Sequence, residues 1–153
     1  MSFFPTALAS AWKVGGEPYL PALNAAEIKF GIPTDLLARI AFQESSWRHN
    51  VIFGPANAEN CIGLMQLNLR YFPNAGKDWQ ADILEAGQYL SQLYVRFNDW
   101  TLAVASYDWG PTNVEEYDEG KISALPAETA NYVTKVFTDV PVPGVLEPPG
   151  ENA

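Results

Sequence analysis

The feature that most restricts the fold is the spacing of apolar residues, which follows the helical period. Leu36, Leu37, Ile40 and Ala41 fall on one helix face. Ala81 to Phe97 repeats the pattern at greater length, with Ile83, Ala86, Leu90, Leu93, Tyr94 and Phe97 spaced by threes and fours. A further helix is predicted over Pro21 to Phe30 and is stopped by Gly31, and Pro33 stands where a first helical residue belongs. Residues 48–62 read as loop, and a short helix is predicted over Leu64 to Leu69. Asp99 or Thr101 caps the next helix, which runs to about Tyr107 before Gly110-Pro111 breaks it. Asn113 to Tyr117 reads as a short turn and Pro126 to Phe137 as a last helix. Strand signals are weak throughout, so the class is mainly α.

At 153 residues, 48% of them hydrophobic, the chain suits one domain with a core of its own. We place that domain over residues 1–139. Residues 140–153, which open Val-Pro-Val-Pro-Gly, form a Pro-rich tail. Met1 to Trp12 reads as a first helix or a docking segment. It lacks a basic n-region and Pro5 interrupts it, so no signal peptide is expected. No apolar run approaches the roughly 20 residues of a membrane span, and no membrane insertion is expected.

Composition removes several chemistries. With Cys61 as the one cysteine and His49 as the one histidine, neither a thiolate metal site nor a Ser-His-Asp triad can be assembled. No metal and no cofactor are expected. The formal charge of -9, without any Lys/Arg cluster, argues against nucleic acid and against an anionic membrane surface as partners. What is left is carboxylate chemistry.

One turn beyond Ile40 and Ala41, the same helix face carries Glu44. A carboxyl on an apolar stripe is desolvated, which favours its protonated form, and a protonated carboxylic acid can serve as a general acid. The plainer reading is a Glu that caps the helix or pairs with Arg39 or Arg70.

Four short elements occur in order: Glu44-Ser45, Gly63-Leu64-Met65-Gln66, Ala105-Ser106-Tyr107-Asp108-Trp109-Gly110, and Glu128-Thr129-Ala130-Asn131-Tyr132-Val133. In these the sequence resembles the soluble lytic transglycosylases of the lysozyme-like superfamily, whose pattern is E-S, G-L-M-Q, A-x-Y-N-x-G and E-T-x-x-Y-V. The resemblance covers roughly residues 25–137 and departs at Asp108, where the family usually has Asn.

The resemblance implies a lysozyme-like fold with a substrate cleft between helical lobes, acting on the glycan strands of peptidoglycan. It implies Glu44 as acid and then base, cleaving the β-1,4 bond between N-acetylmuramic acid and N-acetylglucosamine. The substrate's own 2-acetamido group assists, and closure by the 6-hydroxyl gives a 1,6-anhydro product. It also implies that Ser45, Met65, Gln66, Tyr107, Asp108, Glu128 and Tyr132 bind substrate.

Each of these has a structural alternative. In those alternatives Ser45 caps its helix, Met65 packs at a helix start, Tyr107 sits in the core and Glu128 makes a buried hydrogen bond. Asp108, unable to donate when ionised, either adds charge near Glu44 and admits water as a nucleophile or serves at the surface or as a cap. Trp109 stacks on sugar or packs. The rival functions are a hydrolytic muramidase and, from another class, an inactive glycan-binding module. Small size and the lack of a signal peptide suggest a bacteriophage lysis enzyme, monomeric by default and held in the host cytoplasm until released to the wall.

Overall fold

The computed structural model describes residues 10–145. They are mainly helical and fall into two compact units, divided between Gln88 and Tyr89. The first unit holds α1 (Leu20–Phe30), α2 (Leu36–Ser45), α3 (His49–Ile52), strands β1 (Cys61–Ile62) and β2 (Leu67–Asn68), and the first half of α4 (Trp79–Phe97). The second holds the rest of α4, α5 (Trp100–Trp109), α6 (Pro111–Asp118) and α7 (Ala127–Asp139).

In the first unit, α1 packs on α2. The stripe seen in the sequence is buried completely: Leu36, Leu37, Ile40 and Ala41 are each 0% exposed. Each large side chain among them contributes about 1.5–3 kcal/mol by leaving water. Gly31 ends α1 in the left-handed conformation, with φ 69°.

The expected start of α2 needs correction. Pro33 is not its first residue. The helix begins at Leu36 after Asp35, whose φ is 70° and whose side chain makes no capping bond. The cap comes from the preceding helix. Glu27, 1% exposed, accepts from the Asp35 N–H at 2.9 Å and the Asn24 amide at 2.7 Å through Oε1, and from the Ala38 N–H at 3.0 Å through Oε2. The Asp35 and Ala38 N–H groups belong to the start of α2, where the first N–H groups have no intrahelical partners.

The predicted helix over Leu64 to Leu69 is also corrected. The segment is a tight antiparallel hairpin in which Cys61 faces Asn68 and Ile62 faces Leu67. Gly63 at φ 84° and Gln66 at φ 49° are both left-handed, which no α-helix allows in its interior.

In the second unit α5 packs on α6 and α7, burying Val104, Val114, Val133 and Val136. Of the two candidate caps of α5 it is Asp99 that acts, accepting from the Leu102 N–H at 3.1 Å. Gly110 separates α5 from α6, and the short turn expected at Asn113 to Tyr117 is a full helix, Pro111–Asp118. Val140 and Val142 are buried, so the Pro-rich segment begins by packing. Residues 146–153, and the expected N-terminal helix up to residue 9, lie outside the described residues. The end of that N-terminal segment is a single 3-10 turn, Ala11–Lys13, with Trp12 buried.

Burial pushes the Glu27 carboxyl above its ordinary value. The Ala38 N–H, the Asn24 amide and the Asp35 N–H oppose the shift, and the Asp35 charge adds to it. A folded carboxyl held high binds a proton that the unfolded chain has already released near pH 4.5. Its contribution to stability is therefore present below that pH and is lost as pH rises through the folded value. The difference in unfolding free energy between wild type and Glu27→Gln should accordingly shrink as pH rises from about 4 to 7 in urea denaturation. A difference that grows with pH would contradict this.

Candidate active site

Glu44 sits in the last turn of α2, half-buried. The chain directly after it is strained. Ser46 and Trp47 are both left-handed, at φ 52° and 58°, and for a residue as bulky as Trp this is an outlier. Ser45, 0% exposed, holds the turn. Its hydroxyl donates to the Ala41 carbonyl at 2.9 Å and accepts from the Trp47 N–H at 3.1 Å. That is the geometry of a helix closure.

Trp47 is fixed by an aromatic cluster. Its indole N–H donates to the Trp12 carbonyl at 2.7 Å. Its ring stacks with Tyr19 at 6.0 Å and meets Phe42 at 5.8 Å, and Tyr19 meets Trp79 edge-on at 4.9 Å. A Cβ on Gly16 would lie 2.5 Å from the Trp47 ring, so the indole needs a glycine beneath it. Trp12, Trp47 and Trp79 thus pack around the end of α2, and their rings lock the backbone that presents Glu44.

The second motif forms the hairpin turn. Leu64 and Met65 are fully buried, and Gln66 is half-buried. The Gln66 amide is held at both ends. Nε2 donates to the Gly63 carbonyl at 2.9 Å and Oε1 accepts from Asn57 Nδ2 at 3.1 Å. The Cys61 thiol, in β1, is pushed up by burial and then by the negative charges of Glu44 and Glu59. The Glu44 carboxylate therefore lies within electrostatic reach of the strand leading into this motif.

Asp82 explains the motif's glycine. It is 1% exposed in the first turn of α4, and accepts from the Gly76 N–H through both oxygens, at 3.2 and 3.0 Å. A Cβ on Gly63 would stand 2.7 Å from its Oδ2, in addition to the strain of φ 84°. Burial pushes the Asp82 carboxyl up, the Gly76 N–H opposes this, and the charges of Glu85 and Asp78 reinforce it.

In the second unit, the half-buried Tyr107 ring lies 5.9 Å from that of Tyr89, and Tyr132 is buried at 6% exposure. Asp108, half-buried, accepts from the Thr129 hydroxyl at 2.9 Å and so ties α5 to α7. The half-buried Trp109 ends α5, where its carbonyl accepts from the Asn113 amide at 2.9 Å. Glu128 is exposed in the first turn of α7, where the helix dipole favours a negative charge. Exposure removes the buried hydrogen-bonding role considered for it.

The structure thus gathers Glu44, Ser45, Met65 and Gln66 in one unit, and Tyr107, Asp108, Glu128 and Tyr132 in the other. Sequence reasoning missed Glu27, Asp82, Asn57 and Thr129. The first two carry the signal that singled out Glu44, an acid on an apolar helix face: Glu27 follows Leu23 by one turn and Asp82 precedes Ala86 by one. What separates the three is environment. Glu27 and Asp82 are sealed and accept from backbone N–H groups, whereas Glu44 is partly open at a helix end. Among the described residues no three His, Cys, Asp or Glu side chains gather closely enough to hold a metal ion, and no helix is long and apolar enough to cross a membrane.

A mainly helical fold with a half-buried glutamate at a helix end and a Gly-Leu-Met-Gln turn in the same unit fits a lysozyme-like, glycan-cleaving domain. The pattern of the transglycosylase SLT domain matches residues 21–126, well over half of the chain, and the chain belongs to that family. The activity of the family is lytic transglycosylation of peptidoglycan. The match takes in the first three motifs and ends before the fourth, which begins at Glu128.

Gly63→Ala should lower stability by about 1–3 kcal/mol, the cost of a non-glycine residue forced into an unfavourable backbone region. Urea denaturation measures it, and an unchanged midpoint and slope would show that the turn relaxes away from Asp82 without cost.

Proposed function

We propose that this protein is a lytic transglycosylase in which Glu44 is the single acid–base group. It cleaves the β-1,4 bond between N-acetylmuramic acid and N-acetylglucosamine. Glu44 gives its proton to the glycosidic oxygen as the bond to the muramyl C1 breaks. The carbonyl oxygen of the 2-acetamido group closes on C1 and carries the developing positive charge. The Glu44 carboxylate then takes the proton of the 6-hydroxyl, whose oxygen attacks C1 and displaces the acetamido oxygen. The product is a 1,6-anhydro sugar, no water is consumed, and Glu44 ends as it began.

The observation that carries this reading is the contrast between Glu44 and the two buried helix-borne acids of the first unit, Glu27 and Asp82. A proton donor must reach its substrate, and Glu27 and Asp82 are enclosed at 1% exposure while accepting backbone hydrogen bonds. Glu44 is partly open, as is Glu85 in α4, but of the two Glu44 stands in the family's first motif, beside a strained turn held by packed aromatic rings. Gln66 has an N–H and a lone pair outside its two bonds, a complementary pair for an acetamido group. Ser45 and Met65 support the site from within, being fully buried. The biological setting in this reading is bacteriophage lysis, with the enzyme stored in the host cytoplasm until the membrane is breached.

One experiment addresses both parts. Bacteria expressing the wild type should stay intact and lose turbidity only after the inner membrane is permeabilised, while Glu44→Gln should lower the lysis rate by about 10²–10⁴-fold, the usual worth of a general acid. Undiminished lysis by Glu44→Gln would remove Glu44 from the chemistry, and lysis before permeabilisation would contradict cytoplasmic storage.

A further inference from the structure

We propose that Asn57 is a positioning residue that fixes which way the Gln66 amide faces. The inference rests on the reading of Gln66 as a substrate-binding group. Asn57 lies outside all four motifs, in the irregular chain before β1. Its side chain divides its two ends between two tasks. Oδ1 accepts from the N–H groups of Glu59 at 2.9 Å and Cys61 at 3.0 Å, closing the turn that leads into the strand. Nδ2 donates to Gln66 Oε1 at 3.1 Å.

With its oxygen committed to two backbone donors, the Asn57 amide can offer only N–H to Gln66. The consequence is directional. Gln66 must turn its oxygen to Asn57 and its nitrogen to the Gly63 carbonyl, 2.9 Å away. Rotating the Gln66 amide by half a turn would set N–H against N–H at Asn57 and oxygen against oxygen at Gly63. An exposed bond such as that from Asn57 is individually weak, but here both bonds favour the same orientation. The donor and acceptor that Gln66 presents to a sugar amide are thereby placed in one order and not the reverse. The backbone supports the arrangement, since the Asn57 N–H donates to the Cys61 carbonyl at 2.9 Å whatever the side chain does.

Asn57→Asp separates the two tasks. It keeps an oxygen for Glu59 and Cys61 and replaces the donor facing Gln66 with an acceptor. The variant should melt within a few degrees of wild type, yet its kcat/KM on purified peptidoglycan should fall roughly three- to tenfold, the range of one hydrogen bond. In a Gln66→Ala background the same substitution should cost nothing further. The Gln66 side-chain amide signals in a ¹⁵N NMR spectrum should also move in Asn57→Asp. Full activity of Asn57→Asp, or an equal loss with and without Gln66, would overturn the proposal. If the aspartate variant fails to fold, Asn57→Ser, too short to reach Gln66 but able to accept within the turn, takes its place in the same comparison. Were wild type itself inactive on peptidoglycan, the functional reading would fail, and unmoved amide signals would still sink the positioning role separately.

Discussion

The buried Glu27 carboxylate is the contact on which the first unit turns. A helix start leaves its first N–H groups without partners, and at α2 the local sequence supplies no side chain to meet them. Glu27 reaches across from α1 and does so, joining the two helices at the place where the chain reverses. Burial alone would make a carboxylate there unfavourable, as its raised pKa indicates. The apolar side chains sealed around it, worth about 1.5–3 kcal/mol each, more than offset that cost. The outcome is a rigid helix of ten residues, about 15 Å long, anchored at one end by Glu27 and carrying Glu44 at the other.

The far end of that helix is held by different means. Ser45 closes the last turn, and two left-handed residues then send the chain sideways into the Trp12–Tyr19–Phe42–Trp47–Trp79 cluster. Such strain persists only where the surroundings determine the conformation, and here packed rings and the Trp47–Trp12 hydrogen bond do so. In the Gly-Leu-Met-Gln turn of the same unit, Asp82 leaves no room for a side chain at Gly63, and Asn57 holds the Gln66 amide. Neither end of the site relies on a flexible side chain held only by solvent.

Much of this was legible from residue order. The apolar stripes of α2 and α4 predicted helices that exist, because burying a face requires that spacing whatever lies opposite. The Gly31 stop is a local device and was equally readable, while the cap of α5 was readable only as Asp99 or Thr101. The hairpin was not. Strands of two residues carry no alternation to detect, and Leu64-Met65-Gln66-Leu67 has the composition of a helix until the left-handed Gly63 and Gln66 forbid one. The start of α2 was misplaced for a related reason, since its cap comes from eleven residues away on another helix. The signal that found Glu44 also marks Glu27 and Asp82, and only their surroundings, sealed for those two and partly open for Glu44, tell them apart.

Because the chemistry assigned to Glu44 transfers a glycosyl group onto the sugar's own hydroxyl, the product records the mechanism. Mass spectrometry of muropeptides released from purified cell walls by the wild-type protein, before and after borohydride reduction, tests this directly. Glu44 acting alone as acid and then base predicts products one water lighter than the hydrolysed sugar and unchanged by borohydride. Products with a full complement of water and a reducible muramic end would contradict it.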